Sequence, residues 1–294
     1  MKNLLKAIAF LLLVMAVYLS ASIMPGILIG IIVGLQHAKE FGNSVDPNAL
    51  ITNIIGPYSI HIMIFAAIST LFMIWLFFLG RKDRFITYIK WRKIALMDGL
   101  YISLLGIFLN LLFIALLNYA ALLLPIEELM SQYSELMALA FDTNFFIILL
   151  GVAIVAPIFE EILVRGVIFN DFRRATPDWL ALTIQALIFG IMHMNLIQGT
   201  YAFILGLILG LVYLKYKSII AAILLHLTFN LTSTLLSSLM PSFDTYMGAV
   251  FLLGLLGTGI VTWLLYRQYN PDTYIDFNEP HTNPLEENTL LIEE

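Results

Sequence analysis

NFFIILLGVAIVAPIFEEILVRGVIFNDFRR (residues 144–174) is apolar for long enough to cross a bilayer, yet it carries two carboxylates and a guanidinium in its interior. A helix needs roughly 20 apolar residues to span a hydrocarbon core ~30 Å thick. Each ionisable group at that depth costs on the order of 2.5–3.5 kcal/mol on insertion scales, so Glu160, Glu161 and Arg165 need partners or a purpose. Glu161 and Arg165 are four apart and share a helix face, where opposite charges pair. Glu160 is turned from Glu161 by about 100°, given 3.6 residues per turn. One carboxylate can therefore compensate the arginine while the other faces elsewhere. Pro157, one turn before the glutamates, removes a backbone donor and favours a bend that would help admit water.

The rest of the chain reads for the same solvent. Of 294 residues, 61% are hydrophobic and 12% are charged, about half the ~25% charge of a soluble domain. A soluble globular enzyme is excluded, and no nucleic-acid partner is expected; the lipid bilayer is the first partner. With no cysteine, disulfides, thiolate metal sites and a cysteine nucleophile are excluded.

Eight spans are expected, at about 7–35, 59–80, 94–124, 144–172, 179–198, 200–214, 218–239 and 246–266. The first continues past Pro25 to Leu35, too long for a signal-peptide core, and reads as a retained helix. The sixth is short. With the amino terminus inside, 13 of the 15 basic residues fall in inside segments; Lys39 lies outside and Arg165 within a span. The fold class is therefore all-α: a polytopic, multi-pass protein of the cell membrane with about eight helices and both termini cytoplasmic. Residues 1–139 read as N-terminal helices, 140–240 as the core bearing the polar residues, and 241–269 as a last helix. Residues 270–294 hold seven acids and three prolines and read as a disordered cytoplasmic tail. The loop 126–143 lies outside and carries Glu127, Glu128, Glu135 and Asp142.

The other costly polar groups are His193 in span five and His226 with Asn230 in span seven. At ~1.5 Å per residue, Glu160 lies roughly 20 Å from the inner boundary, His193 roughly 22 Å and Asn230 roughly 20 Å, with His226 one turn shallower. Helices of opposite direction thus bring polar groups to one depth, and convergence into one pocket is the economical reading. Taken singly, Glu161 with Arg165 reads as a structural pair, Asn230 as interhelical glue and Phe189 as packing. Together, Glu160, His193, His226 and Asn230 supply what peptide hydrolysis needs: a carboxylate and a histidine for water, and donors for an oxyanion. Ser218 and Thr228 have no base arranged beside them. Two other classes compete: a non-catalytic membrane scaffold or immunity protein, and a proton-coupled transporter, against which stands the lack of an inverted repeat.

Three motifs carry a family resemblance. EEILVR (Glu160 to Arg165) resembles EExxxR, FGIMH (Phe189 to His193) resembles FxxxH, and HLTFN (His226 to Asn230) resembles HxxxN, in the order found in the CAAX-protease and bacteriocin-processing (CPBP, or ABI) family. The resemblance covers about residues 140–240. It implies an eight-helix intramembrane endopeptidase in which Glu160 and His193 activate water and His226 and Asn230 stabilise the oxyanion. Glu161, Arg165 and Phe189 would support the site. The family has also been called metalloprotease. Zinc would have to be held by Glu160, His193 and His226 with a water, but there is no HExxH and Asn230 is a poor zinc ligand, so no cofactor is favoured. The expected substrate is a peptide or membrane protein, in keeping with bacterial peptide or bacteriocin processing or immunity.

Overall fold

The computed structural model describes residues 2–41, 56–80, 84–239 and 246–268, which are helical nearly throughout and contain no strand. In chain order the helices are α1 (Lys2–Phe41), α2 (Ser59–Leu79), the single turn α3 (Phe85–Tyr88), α4 (Leu96–Leu123), α5 (Glu127–Ala140) and α6 (Phe145–Arg173). There follow α7 (Asp178–Met192), α8 (Leu196–Tyr216), α9 (Ile219–Leu239) and α10 (Met247–Arg267). Among the described residues seven helices are long and apolar enough to cross a membrane, and α7 is a shorter apolar helix. The chain is a polytopic all-α membrane protein, as its composition requires.

Two elements differ from the sequence expectation. The fifth helix does not run to residue 198: α7 has 15 residues, about 22 Å at ~1.5 Å each. The sixth, expected to be short, has 21. The boundary lies where Met194 adopts a left-handed backbone (φ 53°) and the Asn195 side chain accepts the Gln198 N–H at 3.0 Å, capping α8. The residues on either side of this turn are apolar, so hydropathy runs through it. The second difference is the segment expected to be an outside loop, which contains helix α5 with Glu127 and Glu128 in its first turn, where the helix dipole favours negative charge. The tail expected to be disordered lies outside the described residues.

Helix α6 is central and unevenly wound. Leu149–Val155 and Ile162–Phe169 are π-helical, and between them Ala156–Glu161 is α-helical. The Ala156 N–H bonds to Gly151 O, five residues back. The distortion expected at Pro157 thus takes the form of π winding on either side of the glutamates, a device that recurs at functional sites. Ile162–Phe169 is buried along its whole length, packed in one cluster with Leu205 and Leu209 of α8 and Ala222 and Leu225 of α9. Lipid is as apolar as these side chains, so close packing rather than water exclusion must hold such helices together. The contact of α4 with α9 shows it: a Cβ on Gly106 would lie 2.5 Å from Leu225 O, so only glycine lets the two backbones approach there.

Polar contacts close the ends of the bundle where α6 meets α7 and α8 meets α9. Arg173 donates to both Asp178 oxygens at 2.8 Å across the α6–α7 turn. Asn170 donates to Tyr88 O and Gly166 O and accepts from the Tyr213 hydroxyl at Oδ1, tying α3, α6 and α8 together. Lys90, with a left-handed backbone (φ 54°), accepts the Ile219 N–H at its carbonyl. Burial, with Arg173, Arg92 and Lys217 nearby, pushes the Lys90 ammonium down to about 7. The unfolded lysine keeps its proton to about pH 10.4, so the folded state binds fewer protons between those limits and stability rises with pH across them. Lys90→Met should therefore raise the melting temperature in detergent at pH 6.5, and the gain should shrink steadily toward pH 10. A gain independent of pH would show that Lys90 is not a buried cation.

Candidate active site

The deepest charged pair organises the site. Glu161 and Arg165 are fully buried (0% exposed) and bond at 2.8 Å from Glu161 Oε1 to Arg165 Nη1. The arginine also donates from Nη2 to Gly206 O at 3.2 Å, a carbonyl that accepts the Gln185 amide as well, at 2.9 Å. Its guanidinium lies 4.4 Å above the Phe189 ring, a desolvated cation–π contact. The i, i+4 pairing expected from the sequence is present, and the charge is spread over a carboxylate, a carbonyl and an aromatic face.

The same Glu161 Oε1 bonds to Nδ1 of His226 at 2.8 Å. A carboxylate can only accept from this nitrogen, so Nδ1 carries a proton and Nε2 is the nitrogen turned elsewhere. Nε2 lies 3.7 Å from Glu160 Oε2. His226 is 2% exposed, whereas the Glu160 side chain is 19% exposed. Of two adjacent carboxylates, one is thus buried as a structural anion and the other opens into space.

His193 stands at the C-terminal end of α7, where the helix stops, and its Nδ1 lies 2.8 Å from Phe189 O. A carbonyl is also only an acceptor, so this imidazole too keeps its proton on Nδ1 and leaves Nε2 free. The α7–α8 turn is tight because Gly190 and Gly199 meet: a Cβ on either would lie within 2.9 Å of the other's carbonyl oxygen. Phe189 meets both imidazoles edge-on, with centroids 4.9 Å from His193 and 5.6 Å from His226. Its place is wider than the packing role read from the sequence, since it touches the arginine and both histidines. On α9, Asn230 lies one turn beyond His226 and donates from Nδ2 to Val152 O of α6 at 3.0 Å.

Glu160, His193, His226 and Asn230 all line one cavity of about 630 Å³, within the ~300–1,000 Å³ of small-ligand sites. From Glu160 it extends past Asn110 to Met137 and Phe141 at the α5 end of the bundle. Glu161 and Arg165 do not line it and stand behind His226. Among the described residues, no three His, Cys, Asp or Glu side chains gather as a metal-ligating group.

Sequence reading passed over Gln185, which shares Gly206 O with the arginine, and Asn110, a buried cavity residue whose Oδ1 has no partner. Their signal was present, since uncharged amides inside apolar spans also need partners. The role of the Val152 carbonyl carries no side-chain signal at all.

Residues 142–232 match the family model described as type II CAAX prenyl endopeptidase Rce1-like. The matched segment holds all three motifs and every cavity residue of the candidate set, and it supports an intramembrane protease kind of function. Comparison with curated proteins and with solved structures gives no match.

Removing one partner of a buried ion pair strands the other, at about 3–5 kcal/mol, whereas replacing both with apolar groups is often near neutral. Glu161→Met and Arg165→Met should each lower thermal stability by that order. The double variant should melt above either single one; additive losses would mean that the two charges are not coupled.

Proposed function

We propose that this chain is an intramembrane endopeptidase in which Glu160 and His193 activate a water and His226 and Asn230 hold the oxyanion. The observation that carries the reading is the division of labour around one cavity: an accessible carboxylate, two imidazoles with Nδ1 anchored, and an amide, beside a buried carboxylate that only supports. Glu160 takes a proton from water as the oxygen adds to the scissile carbonyl, then returns it to the departing amine nitrogen. His193 accepts a hydrogen bond from that water at Nε2. His226, carrying a second proton on Nε2, and the remaining Asn230 N–H donate to the tetrahedral oxyanion. The mechanism needs no metal, since Asn230 suits an oxyanion better than zinc.

The substrate is a peptide or a membrane-protein segment with an apolar side chain to bury, because Phe113, Ile114, Leu117 and Met137 make up much of the wall. The cavity occupies the half of the bundle near α5. The basic residues Arg92, Arg173, Arg174 and Lys217 lie at or just beyond the opposite ends of α4, α6 and α9. With those ends cytoplasmic by charge, the site draws on the outer side of the membrane, which suits processing of a secreted or membrane-bound peptide. Both termini are then cytoplasmic.

Purified protein should cleave apolar test peptides, with Glu160→Ala and His193→Ala each lowering the rate about 10²-fold or more and a strong chelator leaving it unchanged. Activity that survives Glu160→Ala would sink the reading, and loss on chelation would replace it with a metal mechanism. The chain has no cysteine, so orientation can be read in intact cells from single cysteines. Ser237→Cys should react with a membrane-impermeant maleimide from outside and Arg174→Cys only after permeabilisation; the reverse pattern would place the cavity on the cytoplasmic side.

A further inference from the structure

The bond from Asn230 to Val152 O has a cause within α6. In an α-helix the Val152 carbonyl would receive the N–H of residue 156, and in a π-helix that of residue 157. Here the Ala156 N–H is committed to Gly151 O. Residue 157 is proline and has no N–H to give. Val152 O is thereby left without a helical donor within a membrane-spanning helix, where a backbone carbonyl has to find a partner inside the protein or in the cavity it borders. The Asn230 amide of α9 fills the vacancy at 3.0 Å.

We propose that Pro157 is a positioning residue for Asn230: by withholding an N–H it reserves Val152 O as the acceptor that fixes the Asn230 side chain toward the cavity. The terminal torsion of asparagine is broad, so an Asn230 amide without this anchor would sample orientations that do not face an oxyanion. Nδ2 has two hydrogens. One is held by Val152 O, and the bond fixes the direction of the other. The lining of the cavity agrees, since Val152, Ala156, Glu160 and Asn230 all border it. A proline one turn before the glutamates thus acts on the opposite helix rather than only bending its own.

The role in turnover rests on the protease reading above, but the bond itself does not, so the test has two arms. In the first, melting temperatures in detergent are compared for wild type, Pro157→Ala, Asn230→Ala and the double variant. Asn230→Ala should lower the melting temperature of the Pro157 protein. It should lower that of the Pro157→Ala protein by less than half as much, because the new N–H at 157 satisfies Val152 O in the register that Ala156 already keeps. Equal losses in both backgrounds would overturn the proposal. In the second arm, Pro157→Ala should lower kcat at least tenfold with KM within twofold, and should have no further effect when Asn230 is already alanine. An unchanged kcat alongside a coupled stability cycle would also overturn it, since the bond would then be structural only. If wild type cleaves nothing, the protease reading fails while the stability arm still decides the bond. Pro157→Ser, which supplies the same N–H, serves in both arms should Pro157→Ala fail to fold.

Discussion

A carboxylate held in the membrane interior with no water around it has to be neutralised by protein, and the arrangement around Glu161 follows from that requirement. Its Oε1 takes both Arg165 Nη1 and His226 Nδ1 at 2.8 Å. Arg165 in turn needs more than one partner, and the Gly206 carbonyl and the Phe189 ring provide them. These contacts reach α6, α7, α8 and α9, so the bonds made at one oxygen of a buried carboxylate register four helices against each other. Such pairs are weak evidence for stability, but breaking one is expensive, and that asymmetry makes them good devices for fixing geometry. What is fixed here is which nitrogen of His226 faces Glu160.

The second constraint is length. At about 22 Å, α7 stops short of a full crossing, and its end is where His193 sits. The stop is built from small local choices: a left-handed Met194, the Asn195 cap and the contact of Gly190 with Gly199. Backbone irregularity at membrane depth is tolerated where it lines a cavity or is buried in protein, and the α7–α8 turn and the π segments of α6 meet that condition. The α7–α8 turn borders the cavity, and the π segments of α6 are covered by α2, α7 and α9.

The amphipathic α5 closes the far end of the same space. Tyr133 meets Tyr201 of α8 at 3.4 Å between hydroxyls, while Met137 and Phe141 present apolar surface to the cavity. A peptide with an apolar side chain would therefore meet a mostly greasy wall at this end and the polar set at the other. That gradient fits the proposed hydrolase: apolar contacts for binding and a small polar focus for chemistry.

Much of this was legible in the amino-acid order. Composition determined the solvent, spacing paired Glu161 with Arg165, and depth counting brought Glu160, His193, His226 and Asn230 to one level. All of these depend on covalent periodicity and on the cost of burying charge, which act on any helix in lipid. Tertiary structure decided which atoms those residues present. The end of α7 was hidden because the residues flanking its turn are as apolar as a helix interior. The helix in 127–140 was hidden by its charge, which a helix facing water on one side can carry. Glu161 could pair with Arg165 from spacing alone, but that it also holds His226 depends on a contact across 65 residues. The acceptor of Asn230 is a backbone carbonyl that no residue type marks, and only the packing of α9 against a helix short of one N–H puts the two together.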